Sequence, residues 1–320
     1  MKNDLNKTFG EIFDGDIAAF RKQLLEIQHI KADRQKAEEW VSNLRFLDIS
    51  KVPDLQVEKK KQDRRFALAK ARDPLHDRKV PEREISVTER EDDDGENPYI
   101  AVSWKWTELK HEVLYDDPKP LVFDYRIKRP GAKSHKSSFP DLYMDRVIRF
   151  AQSTQISRLW IDKECIYQMP GDDHMWPDDQ EHGVQIMDVV YGDSNLSVGL
   201  LTVELAHQHE VDLLSELLHG HLFVDPKNKD TPELRSEVDV TAVQMLILRI
   251  LRDPRWSRGW IFQEDHLASD RMTLLIPCPE EIHIDCDYDF GDIVGELQIN
   301  LKDLRQNVTM FCMACPEEQQ

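Results

Sequence analysis

Three groups of residues in this chain combine types and spacing suited to chemistry, and each stands at the polar end of an apolar stretch. Ser103, Lys105 and Trp106 follow Tyr99-Ile100-Ala101-Val102. Asp162 and Cys165 follow Arg158-Leu159-Trp160-Ile161. Arg258, Trp260 and Glu264 close the segment Trp256-Ser257-Arg258-Gly259-Trp260-Ile261-Phe262-Gln263-Glu264. A carboxylate such as Glu264 can stabilise a developing positive charge. Lysine and arginine hold anions, and an indole such as that of Trp106 stacks on flat or cationic partners. Trp260 and Glu264 are four apart, so on a helix they share a face, which predicts an indole anchored in the core and a carboxylate at the rim. Plainer readings stand beside these. Glu264 can cap or salt-bridge its own helix, Trp106 and Trp160 can be core residues, Asp162 can order a turn, and Arg258 can sit in a surface pair. Cys165 has no histidine at a recognisable motif distance and reads as a buried structural thiol rather than a nucleophile.

The elements that must position these residues can be read from periodicity. Ile100-Ala101-Val102 is an unbroken apolar run, the pattern of a strand covered on both faces. Short strands are predicted over 121–127 and 271–276, a second core strand over 158–162 and a third over 196–203, with helices over 141–153 and where Val184, Met187 and Tyr191 share one face and Ile186 and Val190 another. This alternation predicts an α/β fold with a doubly wound, mostly parallel sheet. Segments 204–220 and 233–252 read as a helical insertion. In the second, Val243, Leu246, Ile247, Ile250 and Leu251 form an i, i+3, i+4, i+7, i+8 stripe. Asp253-Pro254 opens a further helix. Residues 5–72, with Ile17, Phe20, Leu24 and Ile27 at helical spacing, read as helices, and an acidic loop ends at Asn97-Pro98. The organisation expected is a helical amino-terminal region with linker (1–96), a central domain (97–280) and a carboxyl-terminal extension (281–320). Ligands of open α/β sheets bind beyond the carboxyl ends of the strands, where strand order reverses, so the strand tips bearing Ser103, Lys105, Trp106, Asp162 and Cys165 are expected to converge there.

The same three blocks resemble, in order, the signature of the HET (heterokaryon incompatibility) domain of fungal cell-death proteins: P-Y-I-A-L-S-Y-x-W-G, W-I-D-x-x-C-I-x-Q and R-x-W-x-x-Q-E. Rare residues recur together here, namely Trp106, Cys165 and Trp260, and the resemblance makes Trp260, Cys165 and Gln168 structural or secondary candidates. Thr107 stands where the pattern has Gly, and Tyr167 where Asn is common. HET domains are in turn similar to the Toll/interleukin-1 receptor (TIR) domain, a flavodoxin-like fold, and the segment 260–264 is similar to its W-x-x-x-E pattern. The resemblance implies an NAD-cleaving site with Glu264 as the catalytic carboxylate and Ser103, Lys105, Trp106, Asp162 and Arg258 as substrate-binding candidates, Lys105 and Arg258 on the pyrophosphate. NAD is then a substrate, and no bound cofactor is implied. It implies action as a homo-oligomer, with the amino-terminal helices available to a protein partner; the rival reading is a non-enzymatic signalling module.

Composition limits the alternatives. Forty-two basic against 61 acidic residues give a net charge of -19, which repels nucleic acid. Five scattered cysteines read as reduced thiols in a cytoplasmic protein. No apolar run is long enough for a membrane span. A zinc site from Cys312, Cys315, Cys278, His283 and Cys286 matches no standard spacing, so no metal is expected. The pairs His207/His209 and His219/His221 are expected to be exposed with their rings pointing apart. Phosphate-loop, Rossmann and zincin motifs do not occur.

Overall fold

The structure is a computed structural model that describes residues 39–42, 44–73, 79–90, 98–105, 121–166, 182–183, 186–224, 232–284 and 286–315. The predicted helical positions Ile17 to Ile27 and Val184, together with Trp106, Thr107, Tyr167 and Gln168, lie outside the described residues.

Among the described residues nine strands form one sheet: β1 (Arg45–Asp48), β2 (Glu82–Glu89), β3 (Ile100–Ser103), β4 (Asp124–Lys128), β5 (His135–Lys136), β6 (Arg158–Trp160), β7 (Leu196–Leu200), β8 (Met272–Pro277) and β9 (Glu296–Asn300). Their order is β5-β4-β2-β1-β6-β3-β7-β8-β9. The pairs β2–β4, β3–β6, β3–β7 and β7–β8 are parallel, whereas β1–β2, β1–β6, β4–β5 and β8–β9 are antiparallel. The fold is therefore α/β with a mixed sheet, which corrects the expectation of a mostly parallel one. Strands β1 and β2 also lie within residues read from sequence as helix and linker, and β9 adds an antiparallel strand from the carboxyl-terminal segment.

The helices are α1 (Leu55–Arg72), α2 (Asp141–Ser153), α3 (Asp162–Cys165), α4 (Met187–Asp193), α5 (Gln208–His219), α6 (Val240–Leu251), α7 (Ile261–Ala268) and α8 (Leu301–Ala314), with 3₁₀ turns at Pro254–Ser257 and Ser269–Arg271. The predicted strand over 158–162 stops at Trp160, and Asp162 opens α3 instead. Helix α6 buries Val243, Leu246, Ile247 and Ile250 as its stripe requires, but leaves Leu251 exposed at its last turn. Asp253 caps a 3₁₀ turn there, and the next α-helix waits until Ile261. Among the described residues no helix is long and apolar enough to cross a membrane.

The site depends on the parallel centre, β6-β3-β7-β8. From β3 the chain crosses to β6 on one side, then returns past β3 to β7 on the other, so the strand order reverses at β3. Strand β3 is buried at all four positions, as its apolar run predicts for a strand covered on both faces. In register with Ser103, the last residue of β3, stands Gly199 of β7.

Candidate functional site

At that reversal the sequence places a gap, and an arginine fills it. A Cβ on Gly199 would come within 2.8 Å of Arg255 Nε and 2.9 Å of its Cζ, so the guanidinium lies where any other residue's side chain would begin. Asp253 holds Arg255 there. Its carboxylate caps the 3₁₀ turn through Arg255 N (2.8 Å) and accepts from Thr202 N (2.6 Å), Thr202 Oγ1 (2.8 Å) and Val203 N (2.8 Å), just beyond β7. Arg255 in turn donates to Asp265 Oδ1 (2.6 Å) and to Ser103 Oγ (2.9 Å), and its guanidinium carbon sits 4.9 Å from the ring centre of Trp256.

Ser103 passes the contact on. Its hydroxyl donates to Glu264 Oε2 at 2.5 Å, while Glu264 Oε1 lies 3.1 Å from Arg258 Nη2. Arg258 is shared: Nη2 is 3.8 Å from Asp162 Oδ2, and Nη1 donates to the carbonyl of Trp104. Asp162 Oδ1 accepts from Trp104 Nε1 at 3.0 Å and from Lys163 N at 2.8 Å. Four of the sequence-predicted site residues, Ser103, Asp162, Arg258 and Glu264, thus meet in one cluster. Glu264 is 1% exposed. Burial pushes its carboxyl above the usual value, opposed in turn by Arg258, by the Ser103 hydrogen bond and by Arg255, with Asp162 adding to the rise.

Other predicted residues fall elsewhere. Lys105 follows β3, half-buried, with no ion pair among the described residues. Trp106 and Gln168 lie outside the described residues. Trp260 reverses its expectation: it is 51% exposed, while Glu264 is the buried member of the pair. Trp260 is the N-cap of α7 and stands outside its first turn; Glu264, one turn in, is drawn under the strand tips by Ser103 and Arg258. Cys165 is fully buried, with its thiol pushed up to about 12, chiefly by desolvation. Its sulfur receives Ile161 N and faces Leu159 O, the surroundings of an inert structural thiol.

Sequence reasoning missed Arg255, Asp265 and Glu164. Glu164 Oε1 gathers Ser137 Oγ (2.9 Å), Ser138 N (2.5 Å), Ser138 Oγ (2.8 Å) and Phe139 N (3.0 Å), tying the loop before α2 to the W-I-D-x-x-C block. It stands third in the charged run Asp162-Lys163-Glu164, where nothing in the sequence sets it apart from its neighbours. Phe139 then packs edge-on against Trp104 at 4.7 Å. Among the described residues no three His, Cys, Asp or Glu side chains gather to hold a metal. The histidine pairs are exposed, but their rings meet, stacked at 5.5 Å for His207 and His209 and T-shaped at 4.4 Å for His219 and His221. His207 caps α5 and His221 lies beyond its Gly220 cap, so helical geometry does not separate either pair.

No curated protein and no solved structure matches the chain. The family of heterokaryon incompatibility proteins (HET) matches residues 99–264, just over half of it. That span opens on the residue before β3 and closes on Glu264, so it encloses both sides of the buried cluster. The chain therefore belongs to the heterokaryon incompatibility protein family, and its role lies in the incompatibility and cell-death response that defines that family.

Proposed function

We propose that this HET protein is a fungal cell-death effector that cleaves the nicotinamide–ribose bond of NAD in an assembled, cytoplasmic state, with Glu264 as the catalytic carboxylate. The observation that supports it is the carboxylate of Glu264 at the carboxyl tip of β3, 2.5 Å from Ser103 Oγ, at the point where strand order reverses. Counted in chain order, the parallel strands β6-β3-β7-β8 run 2-1-3-4, which agrees with a flavodoxin-like or TIR-like centre.

The chemistry asks little beyond one anion. The C–N bond breaks with its electron pair leaving on nicotinamide, which departs neutral and needs no proton. The ribose becomes cationic at its anomeric carbon, and water adds there and releases a proton, giving ADP-ribose. An anion placed beforehand lowers that barrier. In the arrangement described, Arg258 occupies the cation's place against Glu264 Oε1. Assembly of copies frees it: Arg258 moves onto its other partners, Asp162 and the Trp104 carbonyl, and leaves Glu264 for the sugar. Lys105 then serves the pyrophosphate and Trp106 a ring. The test is to oligomerise the protein with NAD and quantify nicotinamide. Wild type is expected to release it and Glu264→Gln to lose at least about a hundredfold in rate, the scale of removing one electrostatic stabiliser. Equal turnover by the two overturns the assignment.

The second reading, a non-enzymatic module that signals through homotypic contacts or through a partner of the amino-terminal region, is favoured by the 1% exposure of Glu264. It predicts intact NAD in every assembly state.

A further inference from the structure

On the far side of Asp265 from the Glu264 cluster, a hollow of 470 Å³ opens between α7 and α8. Its wall carries Lys302 and Arg305 one turn apart on α8, His266 on α7, the hydroxyls of Ser269 and Thr309, and the apolar side chain of Met310. The one carboxylate in the lining is already engaged: Asp265 is buried and takes Arg255 at Oδ1 (2.6 Å) and Arg305 at Oδ2 (3.2 Å). Asp265 therefore fixes Arg305 at the wall rather than cancelling the hollow's charge, and the Arg305 side chain keeps 48% of its surface open. Lys302 has no ion-pair partner among the described residues. Ser269 adopts φ +50 and ψ −122, a backbone conformation rare for a side chain larger than glycine's, and so turns the chain sharply at the rim.

A cationic hollow on a chain of net charge -19 runs against the field of the whole molecule. One held guanidinium and one exposed ammonium beside hydroxyl donors and an apolar wall residue match a phosphate with a small organic body. We infer that this hollow binds a phosphate-bearing small molecule the size of a mononucleotide, with Lys302 and Arg305 on the phosphate. A preplaced guanidinium loses little freedom on binding, which strengthens its hold on an anion. The site is separate from the one proposed for NAD cleavage.

Calorimetric titration of the full chain at low salt, with AMP, inorganic pyrophosphate and adenosine as probes, tests this without any turnover of NAD, so its outcome is independent of the enzymatic reading. AMP and pyrophosphate are expected to bind saturably and adenosine not to bind. Binding of pyrophosphate but not AMP overturns the mononucleotide-sized ligand. Lys302→Ala should weaken binding about fivefold to tenfold and Lys302→Arg should restore it, as a charge-assisted contact requires. Lys302 is exposed, so its variants fold. The inference is overturned if neither anion binds by about 10 mM, the millimolar limit of weak specific association, or if Lys302→Ala binds as wild type does.

Discussion

Arg146 and Arg255 are both buried and both face a carboxylate beside β7 and β8, yet the two arrangements differ in how completely each charge is met. Arg146 grips Glu296 with two bonds, Nε to Oε1 at 2.7 Å and Nη2 to Oε2 at 3.0 Å, and donates two more to the carbonyls of Leu201 (2.7 Å) and Leu275 (2.8 Å). Around Glu264 the accounts stay open. Arg255 Nε has no hydrogen-bond partner, Glu264 Oε1 has an ion pair without hydrogen-bond geometry, and Arg258 divides itself between Glu264, Asp162 and a carbonyl. A cluster with one satisfied arrangement is a fastening. A cluster whose arginine has two carboxylates to choose from can change partner at small cost, which a site needing a free carboxylate requires.

The comparison breaks most readily at its fastening. Glu296→Gln leaves Arg146 charged and buried without an anion, so the expected loss is about 3–5 kcal/mol in urea-induced unfolding. The double change of Arg146→Met with Glu296→Leu should recover much of it, because packed apolar groups replace such pairs well. A loss below about 1 kcal/mol for the single change would put Arg146 on the same footing as a surface pair. The next effect lies in the open cluster. Gly199→Ala brings a methyl within 2.8 Å of both Arg255 Nε and Leu274 Cδ2, neither of them free to retreat, and should cost about 1–3 kcal/mol by overpacking. If thermal unfolding is unmoved, Arg255 is mobile, and its tie to Ser103 carries less weight than the geometry suggests.

How much of this was legible follows from what each residue's neighbours are. Strand β3 was plain because Ile100, Ala101 and Val102 are buried on both faces and therefore uniformly apolar. Strands β1 and β2 were not. Arg45-Phe46-Leu47-Asp48 is four residues long between stretches of helical composition, and β2 buries only Ile85 and Val87 while its other face carries charge. Ser103, Asp162, Arg258 and Glu264 could be nominated because they end apolar blocks with a family resemblance. Arg255 and Asp265 could not, since a buried arginine in a chain rich in charge gives no local signal. Its place depends on Gly199, which is 56 residues away in sequence and becomes its neighbour only through the order of β3 and β7. The reversed burial of Trp260 and Glu264 has the same origin: spacing fixes which residues share a helix face, while the strand tips decide which one is covered.

The smallest effect is the most discriminating. Glu264→Gln keeps the shape and removes the charge, and at neutral pH should shift stability by no more than about 1 kcal/mol, because the buried anion's desolvation offsets most of its attraction to Arg258 and Arg255. The pH dependence carries the sign. The folded carboxyl titrates above its ordinary 4.5, burial outweighing the opposing arginines and the serine bond, so between 4.5 and that higher value the folded state binds more protons than the unfolded one. Glu264 therefore contributes most below 4.5, and its contribution falls as pH rises through the folded value, by at most about 1.4 kcal/mol per pH unit. The difference in unfolding free energy, wild type minus Glu264→Gln, is expected to fall over that window. A difference that rises with pH instead would mean that Arg258 and Arg255 hold the anion more strongly than burial resists it. The cluster would then be a second fastening like that of Arg146, and Arg258 would have no reason to leave.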